Sequence, residues 1–427
     1  MSSINKFRLR NGLTIILQEM HSTPVTSFWV WYRVGSRSEH TGITGISHWV
    51  EHMQFKGSKL YPDDTADNII SRTGGIWNAM TWIDWTAYYE TMPSDQIELA
   101  IELEADRMTN CLYRKKDVES ERTVIISERQ GYENQPIFLL SEEVHAAAFR
   151  VHPYHHEVLG DQIDIESITR NELFNHYRTF YNPSNAIVVA VGDFKTSQIL
   201  KTIRTHFGKI AKGIMPNSFT RNEPTQKGER KVYLNGEGNT AYLQVGFRSP
   251  SATDPDFFPM IILDSILSGA SSLNMFGSGI SNKTSRLYQA LVMEGLAAGF
   301  SGSLAATIDP YLYSITCAVR NDKTIETLEE ALNLELIRAS DNPPTHQELI
   351  KAKKQAKAMF AYSAESVSNL GFWYGFAEIL ENHNWFTNYL DKLDAVTSLD
   401  VQRVAQKVFG PNNRTTGYYI PNNIKAI

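Results

Sequence analysis

The chain has 427 residues, 42% of them hydrophobic, and its 41 Lys and Arg against 47 Asp and Glu give a formal net charge of −6. That length exceeds what one hydrophobic core usually organises and predicts at least two domains; the mildly acidic balance gives no reason to expect nucleic acid or an anionic membrane as partner. Two distant cysteines, Cys111 and Cys317, exclude a disulfide scaffold and a cysteine-based zinc site, and predict two buried small hydrophobes.

The opening MSSINKFRLRNGLTIIL lacks a basic segment followed by an apolar stretch and a cleavage site, and no apolar run reaches membrane length. A soluble, cytoplasmic protein is the expectation. Hydrophobic periodicity predicts strands at 13–18, 27–34 and 79–91 and helices at 47–55 and 94–108. Strands interrupted by helix pairs imply an α+β layered domain instead of a doubly wound parallel sheet. No glycine-rich phosphate loop follows any of these strands.

Further along, the segment from Ile168 can be laid without a gap on that from Val396, at an offset of 228. Thr169 then meets Thr397, Tyr181 meets Phe409, Pro183 meets Pro411 and Asn185 meets Asn413. Each copy reads as a capped helix, a Pro-Asn turn and a strand, which argues for duplicated halves. The polar stretch 208–231, carrying Pro216 and Pro224, suits a linker. The expected division is a domain at 1–210, a linker at 211–230 and a homologous domain at 231–427.

One segment carries chemistry: Gly45-Ile-Ser-His48-Trp-Val-Glu51-His52, running on to Gly57. With Ser47 as N-cap and Gly57 as stop it predicts a helix of about three turns. His48 and His52, four apart, then project from one face at a spacing suited to one zinc ion. Glu51 lies beside that face, able to activate water without taking a coordination position; this is the H-x-x-E-H order. A catalytic zinc site needs a third protein ligand, and an acidic helix offers candidates in Glu121 and Glu128, seven apart on one stripe. Glu128 could ligate while Glu121 hydrogen-bonds a ligating imidazole. Standing alone, the same residues also read as polar groups on exposed helix faces.

The histidines His145, His152, His155 and His156 are close in sequence, but the bland reading, a structural loop, is preferred over a second metal site. Phe372, Trp373 and Tyr374 read as helix-packing residues, and the aromatic run Trp77, Trp82, Trp85, Tyr88 and Tyr89 as partly core.

Taken together these motifs resemble the pitrilysin family, which includes insulin-degrading enzyme and the mitochondrial processing peptidases. The H-x-x-E-H helix is followed 76 residues after His52 by Glu128, in the context Glu121-Arg-Thr-Val-Ile-Ile-Ser-Glu128. Asn11-Gly-Leu13, Val34-Gly-Ser-Arg37, Gly74-Gly-Ile-Trp-Asn78-Ala79-Met-Thr81, His152-Pro-Tyr154, Tyr181-x-Pro183-x-Asn185, Val191-Gly-Asp193 and Ser285-Arg-Leu-Tyr288 extend the likeness nearly end to end. The resemblance implies two homologous domains, each a mainly antiparallel sheet packed with helices, forming half of a clam-shell chamber. It implies one zinc held by His48, His52 and Glu128, with Glu51 as base and Glu121 behind a ligand. A peptide substrate would lie along the strand bearing Asn78 and Ala79, with Trp77 or Trp82 in reach.

The chain departs from the family where many members carry a substrate-binding Arg and Tyr in the second half; Val292 and Ala298 stand there. The resemblance therefore implies the zinc subunit of a dimer, with a homologous partner supplying that pair and a homodimer as the other form. The alternative is a non-catalytic protein-binding subunit like the respiratory-complex core proteins, against which the intact His48, Glu51, His52 and Glu128 set argues.

Overall fold

Apolar residues on both faces of a strand demand cover on both sides, and that demand organises this protein. In the computed structural model, which describes residues 4–216, 221–274 and 280–422, β1 (Asn5–Arg8), β2 (Thr14–Glu19), β3 (Val25–Tyr32), β4 (Ile76–Thr81), β5 (Thr86–Pro93) and β6 (Ala186–Gly192) form one sheet, in the order β1-β2-β6-β3-β5-β4. The centre of that sheet is β6 and β3, with AIVVAVG buried throughout and VTSFWVWY nearly so. Alternation assigns Phe28, Val30 and Tyr32 to one face, where they join the core formed with the helices Ile97–Asn110, Arg170–Phe180 and Thr196–Phe207. Trp29 and Trp31 point the other way.

A second sheet contains β7 (Arg230–Gly236), β8 (Tyr242–Arg248), β9 (Ala297–Leu304), β10 (Leu312–Val319) and β11 (Arg414–Pro421), in the order β7-β11-β8-β10-β9. With β1 set aside, it repeats the first sheet strand for strand. The single parallel pair is β2 with β6 in one and β7 with β11 in the other; every other neighbour pair is antiparallel. Both sheets are therefore mainly antiparallel, as the resemblance implied.

The segments matched at the 228-residue offset fold alike in detail. Thr169 and Thr397 each cap a helix through a reciprocal box, with Glu172 and Asp400 returning the bond to the cap backbone. Asn185 then donates to the Phe180 and Arg33 carbonyls, and Asn413 to those of Val408 and Arg248. A side-chain amide, buried at Asn185 and half-buried at Asn413, thus ties the end of the preceding helix to the end of a neighbouring strand in both copies, which is why Asn stands at both positions.

The chain divides into two compact units that are not contiguous in sequence. One comprises residues 1–130, 156–220 and 364–386; the other comprises 131–155, 221–363 and 387–427. The contiguous division expected from the sequence, 1–210 and 231–427, differs from this by the exchange of two segments, and part of the expected linker, 217–220, lies outside the described residues. The helix Pro136–Ala148 packs on β11, β7 and β8, while the helix Val367–Leu380 packs on β3 and β6. Amphipathic pattern says that a helix needs a sheet but not which one.

Val367–Leu380 is buried from Leu370 onward and carries Gly371 and Gly375 where it crosses the Trp face of β3. A Cβ at Gly371 would collide with the Trp29 indole and one at Gly375 with that of Trp31. Phe372 lies edge-on to both indoles, 6.2 Å and 5.4 Å from their centroids, so the packing role expected for Phe372, Trp373 and Tyr374 holds. In an exposed helix Gly→Ala is stabilising; here Gly375→Ala is expected to lower stability by about 1–3 kcal/mol through overpacking. Denaturant unfolding of that variant measures the sign.

Cys111 and Cys317 are both free and buried. Among the described residues no helix is long and apolar enough to cross a membrane.

Candidate metal centre

The H-x-x-E-H segment forms the helix Ile46–Met53, which starts slightly earlier than expected and ends sooner. Its N-cap is Gly45, at φ 84°, not Ser47. The acceptor for the first amides arrives from upstream: Glu39 takes the Gly45 and Ser47 N–H groups at 2.8 Å each. A carboxylate at this end also complements the helix dipole. Ser47 instead donates its hydroxyl to the Gly35 carbonyl. Glu39 was not legible from the sequence, since it lies outside the helix it caps.

On the exposed flank of this helix the Nε2 atoms of His48 and His52 stand 3.2 Å apart. Glu128, on the helix Lys115–Glu133, brings Oε2 to 3.8 Å from His48 Nε2 and 3.6 Å from His52 Nε2. Metal–ligand bonds of about 2.0–2.1 Å in a tetrahedron put neighbouring donor atoms about 3.3 Å apart. The three donors fit such an ion closely. Among the described residues this is the one group of three metal-type ligands whose atoms lie within 4.8 Å of one another. His48 is buried while His52 and Glu128 are half-buried.

The surroundings prepare the donors. Burial, reinforced by the neighbouring His52 ring, lowers the His48 pKa to about 3, so this imidazole stays neutral and keeps a lone pair for a metal. His52 Nδ1 donates to Glu121 Oε1 at 2.8 Å, which fixes the tautomer with the Nε2 lone pair facing the site. Lys56 holds the other Glu121 oxygen at 2.5 Å. Burial alone would raise the Glu121 carboxyl, but the bonds from His52 and Lys56 outweigh it and keep the group ionised.

Glu51 stands beside the donor cluster without joining it. Its side chain is buried, and burial lifts its pKa above the usual carboxylate range, opposed by a hydrogen bond from Thr81 to Oε2 at 2.6 Å. A carboxylate raised in this way is better matched to taking and returning a proton near neutrality. Thr81 ends β4, so the group beside the donors and the strand at the sheet edge are directly joined. The sequence shows a Thr there but not which side chain it meets.

The other expected site residues lie on β4 and the turn after it. Trp77 and Ala79 face the core: Trp77 packs on Phe55, with ring centroids 4.7 Å apart, and donates to Asp67. Asn78 is exposed, and its Oδ1 accepts the Ala79 N–H at 2.8 Å. Trp82 is 36% exposed in the turn between β4 and β5. The four loop histidines do not gather: His145 bonds Tyr311, His152 bonds Asp309 and His156 bonds Glu39. Val292 is half-buried and Ala298 is exposed on β9, and neither offers a side-chain donor.

Residues 14–162 match the family model described as insulinase (peptidase family M16), and residues 167–356 match the model described as the peptidase M16 inactive domain. The chain belongs to peptidase family M16. All three metal-type donors and Glu51 fall within the first match. Among similar proteins are the zinc protease PqqE of Helicobacter pylori, 27% identical over 97% of this chain and 92% of its own length, and the mitochondrial-processing peptidase subunit beta of Lentinula edodes, 27% identical over 93% and 86%. The crystal structure of a protease from Helicobacter pylori superposes with a TM-score of 0.92 at 26% identity, over 98% of this chain and 100% of that one. A peptidase-type family with zinc-using relatives is the setting in which the donor cluster has to be read.

Proposed function

We propose that the chain is a zinc-dependent endopeptidase acting on peptides or small unfolded polypeptides inside an enclosed chamber. It would work as the zinc subunit of a dimer whose homologous partner supplies the missing Arg and Tyr. The observation that carries the reading is the convergence of His48, His52 and Glu128 within 4.8 Å, with a buried, proton-ready Glu51 next to them. Zinc held there would supply a Lewis acid for the scissile carbonyl and make water a nucleophile near neutral pH.

The chain's own residues do the rest. Thr81 orients Glu51 through Oε2, leaving Oε1 to accept a proton from the attacking water and deliver it to the leaving amine. Glu121 keeps His52 in the ligating tautomer. An extended peptide adding to the open edge of β4 would displace the Asn78 side chain from the Ala79 N–H and take that donor for its own backbone. Trp82, exposed in the turn after β4, would flank such a peptide, whereas Trp77 would support the strand from beneath.

The test is hydrolysis of a quenched fluorescent peptide by the zinc-loaded chain, alone and mixed with a similar-sized M16 subunit that bears the Arg and Tyr. Turnover is expected from the mixture and little from the chain alone. Equal turnover without the second subunit would remove the partner from this reading; no turnover in either case would remove the peptidase itself.

A further inference from the structure

Beneath the edge strand β4 lie three ionisable side chains with almost no exposure: Glu90 at 0%, Glu104 at 1% and Arg107 at 2%. Glu104 and Arg107 are one turn apart on the helix Ile97–Asn110, and Glu90 comes from β5, directly opposite Trp77 in the ladder. Arg107 Nη2 donates to Glu90 Oε1 at 3.2 Å and to Glu104 Oε1. Burial pushes the Glu90 carboxyl well above the ordinary range, and the Arg107 guanidinium beside it opposes that push.

The guanidinium also touches three aromatic rings. Its central carbon lies 4.9 Å from the Tyr88 centroid, 5.1 Å from Trp77 and 5.3 Å from Phe55. Trp77 belongs to β4, and Phe55 follows the metal-bearing helix by two residues. One planar cation therefore meets both the strand that would carry a peptide and the end of the helix that carries His48 and His52. At its far end the same strand is tied to that helix by Thr81 and Glu51. Buried ion pairs are seldom the most stable way to fill a core, whereas a guanidinium fork stacked on aromatic faces fixes orientation in a way aliphatic packing does not.

We propose that Arg107, held by Glu104 and Glu90, is a positioning residue that sets where strand β4 lies relative to the metal-bearing helix. Resting on the peptidase reading above, this makes it the group that brings a peptide on β4 into line with Glu51. Arg107 touches no reacting atom; it acts through Trp77 and Phe55.

The decisive variant replaces the ion pair with apolar side chains of similar reach, Glu104→Met with Arg107→Met, which keeps sulfur-on-ring packing and removes both members of the pair together. It is expected to fold and to hold one zinc per chain. Amide exchange over residues 76–81 should accelerate about tenfold while the rest of the sheet keeps its protection. On a quenched peptide, with the Arg- and Tyr-bearing subunit present, kcat should fall about 10–100-fold with a smaller rise in KM, the signature of misalignment rather than lost affinity. A folded, zinc-bound variant with wild-type exchange at 76–81, or with wild-type kcat, overturns the proposal. If the double variant does not fold, Arg107→Lys, which keeps the charge but loses the planar stack, carries the same readouts. A wild-type protein that binds zinc yet cleaves nothing even with the second subunit present would count against the peptidase reading alone, and exchange at 76–81 would then decide the positioning role by itself.

Discussion

Glu51→Gln is expected to leave zinc binding intact and to cut turnover by about 10²–10⁴-fold, the range that general acid–base catalysis supplies. The side chain keeps its size and its place, because Thr81 donates equally well to an amide oxygen at the position of Oε2. What disappears is a group able to accept a proton. Glu51 is not among the three clustered donors, so metal content separates this outcome from a damaged site. The measurement is kcat on a quenched peptide, with the Arg- and Tyr-bearing subunit present, beside zinc per chain by atomic emission. Loss of zinc from this variant would mean that Glu51 is a ligand, and the assignment of roles would have to be reversed.

Glu128→Gln should do the opposite. Glu128 is the single anion among the donors, and it reaches the two imidazoles from a different helix. Its replacement by a neutral amide is expected to weaken zinc binding by more than about 100-fold, while Glu121→Gln, acting only through the orientation of His52, should cost about 10–100-fold. Competition against a chelator of known affinity orders the two. Wild-type affinity in Glu128→Gln would strike it from the ligand set, and a larger loss at Glu121 than at Glu128 would exchange their roles.

The parts of the site that could be read in the sequence are those set by helical spacing. His48 and His52 share a face because they are four apart, and Glu121 and Glu128 share a stripe because they are seven apart. Bringing the two helices together needed the 76-residue interval and the family it resembles. The residues that hold the site in shape were out of reach for a common reason. Glu39 reaches the helix start from upstream, Thr81 meets Glu51 through the placement of an edge strand, and Arg107 meets Trp77 through the β4–β5 register. Each contact is decided by tertiary placement that no local pattern encodes. Ser47 shows the same limit in reverse: a favourable capping residue was passed over because a carboxylate from elsewhere already served those amides.

The duplication was legible for a related reason, since Thr169, Pro183 and Asn185 each act within a few residues of chain. The exchange of helices between the halves was not. Trp29 and Trp31 announce an apolar face needing cover, but nothing in residues 1–210 says that the cover comes from 367–380.

That exchange has a consequence for the history and handling of the molecule. Each repeat lends one helix from upstream of its Thr-capped segment, Pro136–Ala148 from one and Val367–Leu380 from the other, and receives its counterpart in return. Without its borrowed helix the first repeat would leave the Trp29 and Trp31 face bare, and the second would leave bare the sheet face that Pro136–Ala148 covers. The present chain is that reciprocal trade made permanent by one covalent join. Cutting the join between 208 and 231 should therefore leave two interlocked fragments that travel together through a sizing column, whereas either half expressed alone should be insoluble.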